Sequence, residues 1–294
     1  MNRLENIDFC IRYLLTQNGV QASIPDTLHD KQLLLRSLMN MTEVESKAGS
    51  HALSRCSNVT EGNITEVESK AGSHVLPRCS NVTEGNIWEH QPIDKEYLAA
   101  QDAELQMQLQ EKGVVDLDGI KEYSISLWQG DITRLNVDAI VNAANSRGLG
   151  CWHPLHACID NAIHSAAGLQ LRQECNDILR GGTIATGDAI ITQGYNLPAK
   201  YVIHTVGPII ATGIPTLEQE RQLAECYRSC LRLAVEHECR SISFCCISTG
   251  EFRFPNQRAA EIAVETCRNA EINVIFNVFK DIDYDIYCQL LGTH

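Results

Sequence analysis

Five apolar runs from residue 137 onward, VDAIVNA, DAIITQ, YVIHTV, SISFCCIS and INVIFNV, constrain the fold most strongly. A strand with one face in water alternates polar and apolar residues; a strand covered on both faces does not need to. YSISLWQ, starting at Tyr123, opens the series. Stretches of helical period stand between the runs: residues 158–175, 220–238, 255–270 and 284–291. In the second of these, Leu223, Tyr227, Cys230, Leu231 and Ala234 share one face. Apolar strands separated by amphipathic helices predict an α/β fold, a three-layer α/β/α sandwich over residues 123–294. Ligands in such sheets bind beyond the carboxyl ends of the strands.

The first third is organised differently. NIDFCIRYLLTQNG and LHDKQLLLRSLMNM each read as a short amphipathic helix, giving a helical N-terminal extension over residues 1–41. Residues 42–64 then recur almost unchanged as residues 65–87, differing only at Ala52/Val75 and Ser54/Pro77. The copies are rich in Ser, Glu, Gly and Asn and poor in core formers, so residues 42–87 are expected to be a disordered insertion from a tandem duplication. A solenoid would need at least three stacking units with apolar faces. Cys56 and Cys79, or His51 and His74, are paired by the duplication itself. Residues 88–122 are expected to be a helical linker, with DKEYLAAQDAELQMQLQEK stopping at Gly113.

A formal charge of −13 argues against a nucleic-acid surface, which needs a basic face. It leaves room for a small anion, because backbone N–H groups at a helix N-terminus hold phosphate on an acidic protein too. No secretory or membrane-spanning pattern is present: Glu5 and Asp8 precede a short, interrupted apolar stretch. Thirteen cysteines scattered through core-like segments suit reduced thiols, and the expected location is cytoplasmic. On that reading the acceptor tripeptides at Asn40, Asn58, Asn63 and Asn81 are ordinary polar sequence. Oligomeric state leaves no trace in the sequence.

Three loops follow apparent strands and carry chemistry. WQGDIT ends the first, NAANSRGLG runs on into CWHPLHAC, and CISTGEFRFPNQ leads to a helix. Ser248, Thr249 and Gly250 are placed to present N–H groups to a diphosphate. The middle loop holds Cys151, His153, His156 and Cys158 where a ligand loop would ordinarily be rich in glycine. Three such ligands plus an open position make a catalytic zinc site, whereas four close a structural one. From residue types alone His153 competes with His156, or joins it as a fourth ligand. His164 and His204 read as core hydrogen-bonders, and Cys175, Cys226, Cys230, Cys245, Cys246, Cys267 and Cys288 as small core residues.

GDIT, DAIVNAAN, IDNAIHSAAG, GYNLPAKYVIHTVGP and STG-x-F-x-FP, in this order and spacing, resemble the macrodomains, which bind ADP-ribose. The likeness spans residues 123–294. The Cys/His loop and the extension with LLRSLMN and GVVDLDGI are similar to the zinc-containing subgroup, which removes ADP-ribose from modified proteins. The resemblance implies a mixed central sheet and one Zn2+ per chain on Cys151, His156 and Cys158. It further implies Asp131, beside Ile132, on the adenine amino group, Asn145 on the distal ribose, and Asp160 orienting or activating water. Backbone of Ser248, Thr249, Gly250, Glu251 and Phe252 would cradle the diphosphate. The implied partners are ADP-ribose and mono-ADP-ribosylated proteins, with no nucleic acid and no membrane. Two alternatives stand beside hydrolysis of the modified protein: a reader module with structural zinc, and a hydrolase of small ADP-ribose esters. One departure concerns Glu251 and Arg253, where the family has a small apolar residue and Gly. Arg253 would either contact phosphate or, in left-handed backbone, cost about 1–2 kcal/mol.

Overall fold

The computed structural model describes residues 2–42, 93–117 and 125–292. Its N-terminal unit is three helices, α1 (Arg3–Gln17), α2 (Leu28–Met41) and α3 (Lys95–Lys112). Each starts at a side-chain cap: Asn2 with Glu5 in a reciprocal capping box, Thr27, and Asp94. Their apolar faces meet in a core of their own around Ile7, Ile11, Leu14, Leu35, Leu38 and Tyr97. Buried Glu104 of α3 accepts from Arg3 of α1 and Gln32 of α2, so one carboxylate ties all three helices.

Of the helical linker expected over residues 88–122, residues 93–117 are described, and its helix stops at Gly113 as expected. α3 is a full member of the helical core, and Val115–Asp116 (β1) pairs in parallel with Leu135–Asn136 (β3). The duplicated insertion, and with it Asn58, Asn63 and Asn81, lies outside the described residues apart from Thr42. Asn40 is buried, with its side chain turned toward Asn161 and Ser165, as a structural residue should be.

The main sheet has the order β2-β8-β7-β4-β6-β5. Its strands are β2 (Ile125–Gln129), β4 (Ala139–Ala143), β5 (Ala189–Gln193), β6 (Tyr201–Thr205), β7 (Ser241–Phe244) and β8 (Asn273–Val278). All neighbours are parallel except edge strand β5, which makes the sheet mixed. Val202, Ile203, His204 and Thr205 of β6 are all buried. Successive side chains point to opposite faces, so the strand must be covered on both. α4 (Ile159–Ala167) and α5 (Leu169–Leu179) supply one cover, and α6 (Leu217–Glu236), α7 (Asn256–Cys267) and α8 (Asp281–Leu291) pack together as the other. Among the described residues no helix is long and apolar enough to cross a membrane.

The single helix expected over residues 158–175 is two helices, broken at Gly168 (φ 98°). A Cβ there would sit 2.5 Å from Nε2 of Gln101, whose Oε1 accepts from the N–H of Leu169. α3 therefore packs directly against the break.

Candidate active site

The loops after β2, β4, β6, β7 and β8 gather at one end of the sheet around a cavity of about 920 Å3. That volume is at the upper end of ordinary ligand pockets. The site residues that the family resemblance implies all line it, Asp131, Ile132, Asn145, Cys151, His156, Cys158, Asp160 and residues 248–252, whereas His153 and Arg253 do not.

At one end, Asp131 caps a short 3-10 turn (Ile132–Arg134), with Oδ1 accepting from the Thr133 amide at 3.0 Å and the Thr133 hydroxyl at 2.6 Å. Its Oδ2 lies 3.5 Å from Lys112 of α3. Burial raises the Asp131 carboxyl, but Thr133 and Lys112 outweigh burial and hold it below the usual range. It is an ionised acceptor.

Strand β4 delivers the next group. Asn145 donates to the Gly150 carbonyl (3.0 Å) and to Oδ2 of Asp160 (3.2 Å), while its Oδ1 accepts from the Arg147 amide. Oδ1 of Asp160 accepts from Asn142 at 2.8 Å. Burial pushes the Asp160 carboxyl up to about 6, against the pull of Asn142, Arg172 and Asn145. Gly150 (φ 81°) is required where the loop passes over His164, because a Cβ would stand 2.8 Å from that ring.

The Cys/His loop then folds its ligands together. The ligand atoms of Cys151, His156 and Cys158 all lie within 4.8 Å of one another. Sγ of Cys151 is 3.5 Å from Nδ1 of His156; tetrahedral zinc with ordinary bond lengths would hold such a pair about 3.6 Å apart. Cys158 caps α4, its Sγ accepting from the Asn161 amide at 3.4 Å. Burial, with Cys151 and Asp160 nearby, pushes the Cys158 thiol up to about 12. A cation in place of the proton is what makes a thiolate favourable there. The trio thus fits a zinc ion in donor type and spacing. His153 is exposed and stands aside, its ring edge-on to His156 at 5.7 Å. Of the two imidazoles, it is His156 whose ring nitrogen lies with the two sulfurs.

Several supports come from outside the loop. Asn161 donates to the His153 carbonyl (3.0 Å) and accepts from Arg36 of α2 at 2.7 Å. Buried Arg172 lies over the Trp152 ring at 4.6 Å and donates to the carbonyls of Met39, Asn40 and Thr42. The extension is thereby tied to the ligand loop, and Arg36, Gln108 and Lys112 also line the cavity. Sequence reasoning missed these, along with Phe279, a 76% exposed aromatic at the cavity after β8. Nothing in a lone FNVFKD signals its position.

In the loop after β7, Ser248 (φ 66°) and Arg253 (φ 57°) take left-handed backbone. Arg253 is exposed and does not line the cavity, so of its two expected roles the conformational cost is the one present. Cys245 and Cys246 also border the cavity, Cys245 buried and Cys246 partly so. His164, Cys175 and His204 form a second, fully buried cluster, with His204 between Asn142 (3.1 Å) and Thr192 (3.0 Å).

Comparison with known proteins identifies the fold. Residues 141–263 match the Macro domain family. A protein-ADP-ribose hydrolase of Staphylococcus aureus is 51% identical over 207 residues, covering 67% of this chain and 77% of its own. One of Treponema medium is 41% identical over 310 residues, covering 99% of this chain and 100% of its own. Among solved structures, a Trypanosoma brucei macrodomain in complex with ADP-ribose has a TM-score of 0.55 at 31% identity, covering 69% of this chain and 92% of that one. An Oceanobacillus iheyensis macrodomain with ADP has a TM-score of 0.53 at 39% identity, covering 59% and 93%.

Proposed function

Because this chain belongs to the macrodomain family, we propose that it is a zinc-dependent hydrolase that removes mono-ADP-ribose from modified protein side chains. One observation carries the proposal: Cys151, His156 and Cys158 converge on the wall of the cavity that also holds Asn145 and Asp160. Relatives named protein-ADP-ribose hydrolase, and macrodomain structures holding ADP-ribose, support the substrate class.

Asp131 accepts a hydrogen bond from the exocyclic amine of adenine, and the exposed face of Phe279 offers the base an apolar surface. Backbone of residues 248–252 holds the diphosphate. Asn145 meets the distal ribose through Oδ1, since an amide oxygen that already accepts from Arg147 has a second lone pair. Zinc on Cys151, His156 and Cys158 supplies Lewis-acid polarisation of an oxygen in this space. Water attacks C1″ as the bond to the protein side chain breaks. Asp160 takes the water's proton and then passes it to the leaving side chain, so no net proton is gained or lost. Asn142 and Asn145 keep the carboxylate aimed while it does so, and its position near pH 6 suits proton transfer close to neutrality.

The test is zinc content of the purified protein together with ADP-ribose release from mono-ADP-ribosylated protein, with and without a strong chelator. Near-stoichiometric zinc with chelator-sensitive release is expected. Zinc and bound ADP-ribose without release from any linkage would make the protein a reader. Release from small esters alone would move the substrate off proteins.

A further inference from the structure

An acidic side chain beside a diphosphate site is out of place unless something turns it away, and the loop after β7 does so. The left-handed backbone of Ser248 and Arg253 brackets a tight turn closed by the Arg253 amide on the Gly250 carbonyl (3.0 Å). Each left-handed residue is held at a cost, so the turn is imposed by its surroundings. The Phe254 amide on Ser248 (3.0 Å) and the Ile210 amide on Phe252 (2.8 Å) do the imposing. Glu251 leaves this turn toward the other loop, with Oε1 3.5 Å from Nε2 of His156.

The opposite nitrogen of that ring, Nδ1, is the one facing Cys151 at 3.5 Å. An imidazole that ligates through Nδ1 carries its hydrogen on Nε2, and a carboxylate accepting that hydrogen fixes both tautomer and ring orientation.

We propose that Glu251 is a positioning residue for His156, accepting its Nε2–H hydrogen and so coupling the diphosphate loop to the metal loop. The inference rests on the zinc reading above. It requires the 3.5 Å contact to close to about 2.8 Å when the ring is held by its ligand. Its further consequence is linkage. A diphosphate that immobilises residues 248–252 strengthens metal binding, and the metal strengthens diphosphate binding by the same factor.

The experiment measures zinc affinity of the full chain by competition with a chromophoric chelator, for wild type, E251Q and E251A, with and without ADP. ADP occupies the diphosphate site yet has no distal ribose to touch the metal, so it reports the route through the loop. Expected are an affinity about tenfold lower in E251A, in line with carboxylates behind metal-bound histidines, and an intermediate value in E251Q, which keeps an acceptor oxygen. ADP should tighten zinc about fivefold in wild type and not in E251A. The His156 Nε2–H resonance of the zinc form should shift between the two. If E251A does not fold, E251Q carries the test. Equal zinc affinity and equal ADP effect in wild type and variants would overturn the role of Glu251 while leaving the zinc site intact. Failure of wild type to take up zinc would overturn the zinc reading and this inference together.

Discussion

Two clusters of cysteine and histidine lie close to Asp160, alike in residue types and spacing but not in their surroundings. Cys151, His156 and Cys158 are half-exposed on a cavity wall; His164, Cys175 and His204 are fully buried. The ligand atoms of each set fall within 4.8 Å of one another. The difference lies first in access and, at His204, also in the lone pairs, whereas both ring nitrogens of buried His164 lack a hydrogen-bond partner. The Asn142 amide can only donate, so Nδ1 of His204 accepts from it and Nε2 carries the hydrogen toward Thr192. That ring has no lone pair left for a metal. In the cavity cluster the Nδ1 lone pair and both sulfurs face a common space that solvent reaches. Proximity of Cys and His nominates a site; spare lone pairs and a route in decide between sites.

Four experiments sharpen or break this contrast. The largest effect is expected from Cys158→Ala, which should lose zinc and at least a hundredfold in ADP-ribose release, about 2.7 kcal/mol of transition-state stabilisation. A folded, zinc-free variant that cleaves at the normal rate would sink the zinc mechanism.

Acid should strike the other cluster. Burial lowers His204 to about 3 and holds His164 well below its ordinary value. A histidine whose pKa is depressed by folding stabilises the protein fully above about 6.5, its unfolded value, and loses that contribution as pH falls below it. Between pH 6.5 and 5 the loss is about 2 kcal/mol for His204, with His164 adding to it. Together they outweigh Asp160, whose raised carboxyl works in the opposite direction. Urea titrations of metal-free protein at pH 7 and pH 5 measure the loss, and a flat profile would mean the rings are not held neutral.

Cys175→Ala should cost about 1–2 kcal/mol of stability with zinc still at one per chain. Zinc falling in proportion would make the buried cluster a metal site after all. The smallest effect belongs to His153→Ala, with zinc affinity expected within about twofold of wild type. A loss comparable to that of Cys158→Ala would bring His153 back as a ligand.

What the sequence made legible follows the same division between local and distant. Runs such as YVIHTV carry their burial on their face, and β2, β4, β5, β6, β7 and β8 were all readable as strands. β1 and β3 were not, because two residues each show no period. The break at Gly168 was invisible since helical pattern continues on both sides and the cause is Gln101, far away in the chain. α3 passed for a linker because part of its buried face is polar, Gln101 and Glu104 included. In the site, the three candidate ligands lie within eight residues, a spacing that a local pattern can show. Glu251 facing His156, Arg36 holding Asn161 and Phe279 at the cavity are long-range pairings that no local pattern encodes.

The bonds at the two ends of the helical unit have a consequence for the history of the gene. The last carbonyls of α2 and of Thr42 are held by Arg172, and the amide of Asp94, just before α3, donates to the Tyr13 hydroxyl. At both seams the helical unit is thus stitched to other described parts of the protein. A copying error between them lengthens the chain without unpicking either seam. Inside the sheet the same duplication would break the register of a buried strand; between these two bonds it leaves the register of every described strand untouched.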